Sequence, residues 1–207
     1  MTETKPAIVL ASASPRRRDL LASVGLRFQV VPSRVDETHQ PGETPHAFVQ
    51  RLSEEKAAEV AARTDVTGRW FIGSDTIVLC DDEILGKPVD AADSACMLRR
   101  LSGRNHQVLS GYAIFDRETG ARLTRCIATE VSFRTLTEQE IEGYIATGEP
   151  ADKAGSYAIQ GIGAFMVSAI CGSYTNVVGL PLCKIVEDLQ QLGAFRLFAT
   201  PTEPKTC

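Results

Sequence analysis

Thirty consecutive residues, 154–183, lie between Lys153 and Lys184 without a charge. An uncharged run of that length must either cross a membrane or fold into the body of a globular protein. Composition decides against the membrane. The run holds five glycines together with Gln160, Asn176 and Pro181, and such a backbone could not stay helical and satisfied in lipid. Buried strands and tight turns are expected there, with no membrane partner.

The remaining chain is compatible with that reading. Its 207 residues suit one large domain or two packed lobes, enough to bury a core without staples. With 43% apolar and 23% charged residues, disorder and collagen-like repeats are excluded. Lys plus Arg is 22 against 26 Asp plus Glu, a net charge of −4. Proteins that coat nucleic-acid polymers usually carry a basic total, so a small anion held in a local basic pocket is the anionic partner left open. The first residues lack a secretory signal pattern. The six cysteines form no C-x-x-C pair and five sit in apolar surroundings, so neither zinc nor a disulfide framework has its spacing. A reduced, cytoplasmic protein is expected.

Residues 7–11 are a short apolar run ended by Ser12-Ala-Ser14-Pro15, where Ser14 suits an N-cap and Pro15 the first helical position. That helix should end before Gly25. Residues 28–31 read as a strand, and Thr44-Pro45 opens a long helix to about Ala62. Residues 70–72 and 77–80 read as two strands around a Gly73-Ser-Asp-Thr76 turn, followed by an extended piece at 83–85. Asp90 caps a helix stopped by Gly103. Residues 108–115 and 123–133 read as a long hairpin, and Thr137-Glu-Gln-Glu140 is a capping box. A last helix spans about 180–192, and the tail from 200 is polar. This alternation predicts an α/β fold with a mixed central sheet in one domain over 1–199, with a cleft between two lobes as the weaker inference.

Four places could carry chemistry. Ser12-Ala-Ser-Pro-Arg-Arg-Arg18 follows a strand and opens a helix, where acidic residues normally belong. Three arginines there suit either a solvated basic turn or a bound polyphosphate, with helical geometry turning Arg17 inward. Lys56 continues the apolar row of Phe48 and Leu52; alone, that favours a buried stem with its amine in solvent. Asp75 suits a turn former, a metal ligand or a base for water. Lys87 adds a cation in a rigid bend, and the Asp36-Glu37 pair reads as exposed acid unless Mg²⁺ recruits it. Gln160 stands alone among apolar residues and glycines and needs a backbone or ligand partner. Its amide could match N3–H and O4 of uracil or thymine. His39, His46 and His106 are assigned no chemistry.

Ser12-Ala-Ser-Pro-Arg-Arg17, Arg51-Leu-x-x-x-Lys56-Ala, Gly73-Ser-Asp-Thr76, Gly86-Lys-Pro88, Leu101-Ser-Gly103, Asp152-Lys-Ala-Gly155 and Val178-Gly-Leu-Pro-Leu182 occur in the order seen in the Maf family. These nucleoside triphosphate pyrophosphatases were first named as septum-formation inhibitors, and the resemblance covers nearly the whole chain. It implies two α/β lobes around a cleft, similar to the inosine triphosphate pyrophosphatases, and a cytoplasmic, metal-dependent enzyme. By resemblance, Ser12, Arg16, Arg17, Lys56 and Lys87 bind phosphate and Asp75 is the proton acceptor. Arg16, Thr76 and Gln160 bear on substrate choice, and Glu37 falls where a metal-binding acid is expected. Mg²⁺ or Mn²⁺ is expected to bridge triphosphate oxygens and carboxylates including Asp75.

Residues 147–161 resemble the dTTP/UTP branch, with modified pyrimidines such as 5-methyl-UTP also admitted. Ser74 and Ser156 stand where Ala is frequent, Ala158 where Gly is frequent, and Arg18 extends the basic pair. The expected reaction releases pyrophosphate as water attacks the α-phosphorus. The rivals are a 7-methyl-GTP pyrophosphatase of the same family and a non-catalytic nucleotide sensor acting on cell division. Homodimers are common in the family.

Overall fold

Side-chain alternation in the first strand decides which helices cover which face of the sheet. In the computed structural model, which describes residues 7–198, strand β1 (Ile8–Leu10) is wholly buried. Ile8 and Leu10 pack with Leu21 of α1 (Pro15–Ser23) and with Ile185 and Leu189 of α6 (Leu182–Gln191). Val9, between them, points the other way and packs with Ala57, Val60 and Ala61 of α2 (Pro45–Ala62). One residue of register thus separates the two faces.

Seven strands form one mixed sheet. β1 pairs in parallel with β2 (Phe28–Val30) and with β3 (Trp70–Cys80). β3 then pairs antiparallel with β4 (Glu83–Leu85) and with β5 (Asn105–Asp116). The expected hairpin joins β5 to β6 (Arg122–Phe133), and β7 (Val167–Cys171) closes the far edge. The long strands serve two cores. At their Trp70 side, Ile72, Tyr112 and Ile114 pack with α1 and α6. At the other end, Val78, Val108 and Val131 pack with Leu98 and Leu101 of α3 (Ala91–Leu101) and with Ile141 and Tyr144 of α4 (Glu138–Ala146). A cleft opens between these halves, as the two-lobe reading expected.

Two expectations are corrected. Gly73-Ser-Asp-Thr76 is no turn: β3 runs unbroken, and Gly73 pairs with Ala113 in mid-strand. Its glycine answers a distant need. A Cβ there would lie 2.0 Å from the carbonyl oxygen of Ser53, and one at Gly111 would lie 2.2 Å from that of Val49. The two bare positions let α2 rest its backbone on the sheet. The uncharged run, secondly, is only partly buried. Its 3-10 turns are Ala154–Ser156 and Gly161–Met166, and Gln160, Ile162, Phe165 and much of β7 are exposed. Asn176, in the short helix α5 (Tyr174–Val178), is buried as its interior anchor.

Among the described residues no helix is long and apolar enough to cross a membrane. The five described cysteines are free, and only Cys80 is buried. The polar tail expected at 200–207 lies outside the described residues.

Candidate active site

The cleft has a volume of about 980 Å³, and Ser12, Arg16, Arg17, Glu37, Lys56, Asp75, Thr76, Lys87 and Gln160 all line it. Residues dispersed over most of the sequence are thereby brought together.

Lys56 lies at the floor. Because α2 sits directly on β3, the lysine cannot lift its amine into solvent, and it is 6% exposed. Its Nζ donates to Asp75 Oδ1 at 2.7 Å and lies 2.7 Å from Glu37 Oε1. The expectation of a solvated amine is therefore corrected: the amine is buried between two carboxylates. Asp75, in mid-β3, is 7% exposed. Glu37 comes from the loop after β2 and keeps an exposed side chain. Partial burial pushes its carboxyl up, but the Lys56 bond and the charges of Lys56, Lys87 and Arg17 outweigh that and hold it below the usual range. Its neighbour Asp36 bonds Thr38 instead, so the acidic pair divides its roles.

At the open end of α1, Ser14 caps the helix by accepting Arg17 N–H at 3.4 Å. Arg17 turns inward as helical geometry expected. Its Nε donates to the carbonyl of Gly179 at 2.9 Å, one terminal nitrogen to the carbonyl of Ser74 at 2.7 Å and to Ser12 Oγ at 3.4 Å, and the other to Thr76 Oγ1 at 3.1 Å. A guanidinium has five N–H groups, so four are already engaged with protein. Desolvation lowers the pKa of Arg17, with Asp75 and Glu37 opposing that shift. Thr76 is similarly engaged, bonding Ser110 Oγ at 2.8 Å and Gly179 O at 3.2 Å. These two residues clamp α1, β3 and the end of α5 together.

Arg16 lies further out, a third exposed, and reaches Asp152 at 3.9 Å. Lys87 is exposed on the β4 side and makes no ion pair among the described residues. Arg18 lies outside the cleft lining and pairs with Asp19. Gln160 is exposed, with no protein hydrogen-bond partner among the described residues, which removes the reading of a buried amide satisfied by backbone. Sequence reasoning missed Lys153, which lines the cleft and pairs with Asp152; its place in the Asp-Lys-Ala-Gly motif was the available signal.

The arrangement offers a carboxylate at the floor, cations around it and a free amide on one wall. A family model described as Maf-like protein matches residues 7–192. The chain belongs to the Maf family. This Maf chain is 64% identical over 193 residues, 93% of its length and 88% of the relative's, to a protein of Syntrophotalea carbinolica named dTTP/UTP pyrophosphatase. Proteins of the same name from Geobacter sulfurreducens and Desulfotalea psychrophila are 57% and 47% identical, over 92% and 88% of the Maf chain and 98% and 92% of their own.

Asp75 and Glu37 also bear on a divalent cation. Among the described residues no cluster of three or more His, Cys, Asp or Glu could hold a metal ion. Two carboxylates facing one point suit Mg²⁺ or Mn²⁺ when phosphate and water oxygens complete the shell. The donor set of this Maf site therefore fits a cation that arrives with a polyphosphate.

Proposed function

We propose that this protein hydrolyses dTTP and UTP, with modified pyrimidine triphosphates such as 5-methyl-UTP, to the monophosphate and pyrophosphate, and so cleanses the cytoplasmic nucleotide pool. The observation that carries the reading is the buried Lys56–Asp75 pair on the floor of a cleft ringed by Arg16, Lys87 and Lys153. The relatives' name, dTTP/UTP pyrophosphatase, supplies the bases.

Asp75 takes the proton of the attacking water, whose oxygen bonds to the α-phosphorus as the bond to the bridging oxygen breaks. Lys56 fixes the orientation of that carboxylate. Arg16, Lys87 and the N-terminus of α1 receive the phosphates and the charge that develops on departing pyrophosphate. Arg17 and Ser12 act partly by holding that end of α1 in place. A divalent cation held by Asp75 and Glu37 would supply Lewis-acid polarisation of the phosphoryl oxygens. Gln160 reads the pyrimidine edge.

The test incubates the protein and Mg²⁺ with dTTP, UTP, CTP, GTP, ATP and 7-methyl-GTP, and resolves the products by chromatography. dTMP and UMP with pyrophosphate, and little product from purines, are expected. Asp75→Asn should lower kcat by about 10²–10⁴-fold while the far-UV spectrum stays native. Turnover of 7-methyl-GTP alone would overturn the branch, and tight nucleotide binding without turnover under any divalent metal would overturn the enzyme.

A further inference from the structure

Gln160 lies on an exposed stretch, and an amide that recognises a base needs a backbone held still. That support comes from one phenol–carboxylate pair. Tyr144, buried near the end of α4, donates its hydroxyl to Glu149 Oε1 at 2.9 Å, and the Tyr144 hydroxyl oxygen itself accepts the N–H of Ala158 at 3.2 Å. Glu149 Oε1 also accepts the N–H of Gly163 at 2.9 Å, and Oε2 that of Ile162 at 3.0 Å. The chain two residues before Gln160, and two and three residues after it, therefore hangs from this pair.

The neighbouring glycines are shaped to it. A Cβ at Gly161, where φ is +75°, would lie 2.6 Å from Glu149 Oε2, and one at Gly163 would lie 2.6 Å from the Tyr144 hydroxyl. Little apolar packing replaces the bonds, since Ile162 is 55% and Phe165 38% exposed. The Glu149 carboxyl is pushed up by burial, yet the N–H groups of Gly163 and Ile162 and the Tyr144 hydroxyl hold it below the usual range.

We propose that Glu149 and Tyr144 are positioning residues for base recognition, fixing the loop that presents the Gln160 amide to the pyrimidine. The inference rests on Gln160 reading the base. Neither residue lines the cleft, so both act through that loop.

Steady-state kinetics with dTTP and UTP on Glu149→Gln, Tyr144→Phe, Gln160→Ala and the Glu149→Gln/Gln160→Ala double variant separate the possibilities. Glu149→Gln should raise KM about tenfold, the scale of a lost hydrogen bond, with kcat changing less than about twofold. Tyr144→Phe, which removes only a hydroxyl, should act in the same direction. In the double variant the losses should not multiply, because both substitutions remove one interaction. Unchanged KM in both Glu149→Gln and Tyr144→Phe, or losses that multiply, would overturn the positioning role alone. Unchanged KM in Gln160→Ala would overturn the reading of Gln160 and this inference with it.

Discussion

At the scale of single residues, burial gives similar side chains different tasks. Lys56 and Lys87 are both cleft lysines, but one is locked against two carboxylates and the other is exposed and makes no ion pair among the described residues. Among the histidines, His106 is 3% exposed, with Nε2 2.8 Å from the Tyr157 hydroxyl and Nδ1 without a partner. Phe133 and Tyr157 meet its ring edge-on. Burial pushes its pKa down to about 4, against about 6.5 in the unfolded chain. Below about 6.5 the unfolded chain therefore binds more protons, and stability falls as pH drops toward 4. The cost should reach about 3 kcal/mol on the acid side. Urea melts of His106→Gln, which keeps a polar partner for Tyr157, should show a shallower loss of stability between pH 6.5 and 4 than the parent. An equal loss in both would mean that other groups govern acid sensitivity.

Among the elements, the contact between α2 and the sheet determines whether the site exists. Gly73 and Gly111 admit the helix backbone, and only at that distance does Lys56 reach Asp75. Gly73→Ala, with a Cβ 2.0 Å from Ser53 O and 2.7 Å from Ala57 N, should cost about 3 kcal/mol or more in urea melts and lower kcat as Lys56 shifts. Gly143→Ala in α4 meets nothing within 4 Å and should be neutral or stabilising by about 0.5–1 kcal/mol. If both variants melt alike, close helix approach is not what Gly73 provides. This contact also explains what was legible in the sequence. The caps at Ser14, Thr44, Asp90 and Thr137 are all made, because a cap is written within four residues. Gly73 looked like a turn because its reason, the backbone of Ser53, lies twenty positions earlier. Lys56 was located by helical period, but period could not say that Glu37 and Asp75 would meet its amine. The inward course of Arg17 was legible, whereas the carbonyls of Ser74 and Gly179 that occupy it depend on the assembled sheet.

Across the whole molecule, the cleft is electrostatically balanced before any nucleotide enters. Glu37 and Asp75 face Lys56, and Asp152 faces Arg16 and Lys153. A triphosphate adds a large negative charge beside these carboxylates, and a divalent cation offsets it most effectively where phosphate and protein oxygens meet. Two carboxylates already engaged with a lysine give the cation little reason to bind alone. Mg²⁺ by itself should therefore leave the melting temperature within about 1 °C of the metal-free protein. A UTP analogue with an imido bridge between its α and β phosphorus atoms, added with Mg²⁺ at about a hundredfold its Kd, should stabilise by about 2.7 kcal/mol, or roughly 5–10 °C. The same analogue in excess EDTA should give a much smaller shift, and EDTA should stop turnover without unfolding the chain. If Mg²⁺ alone raised the melting temperature as far as Mg²⁺ with the analogue, the cation site would be complete in the protein, and Lys56 would have to release Glu37 or Asp75 before substrate arrives.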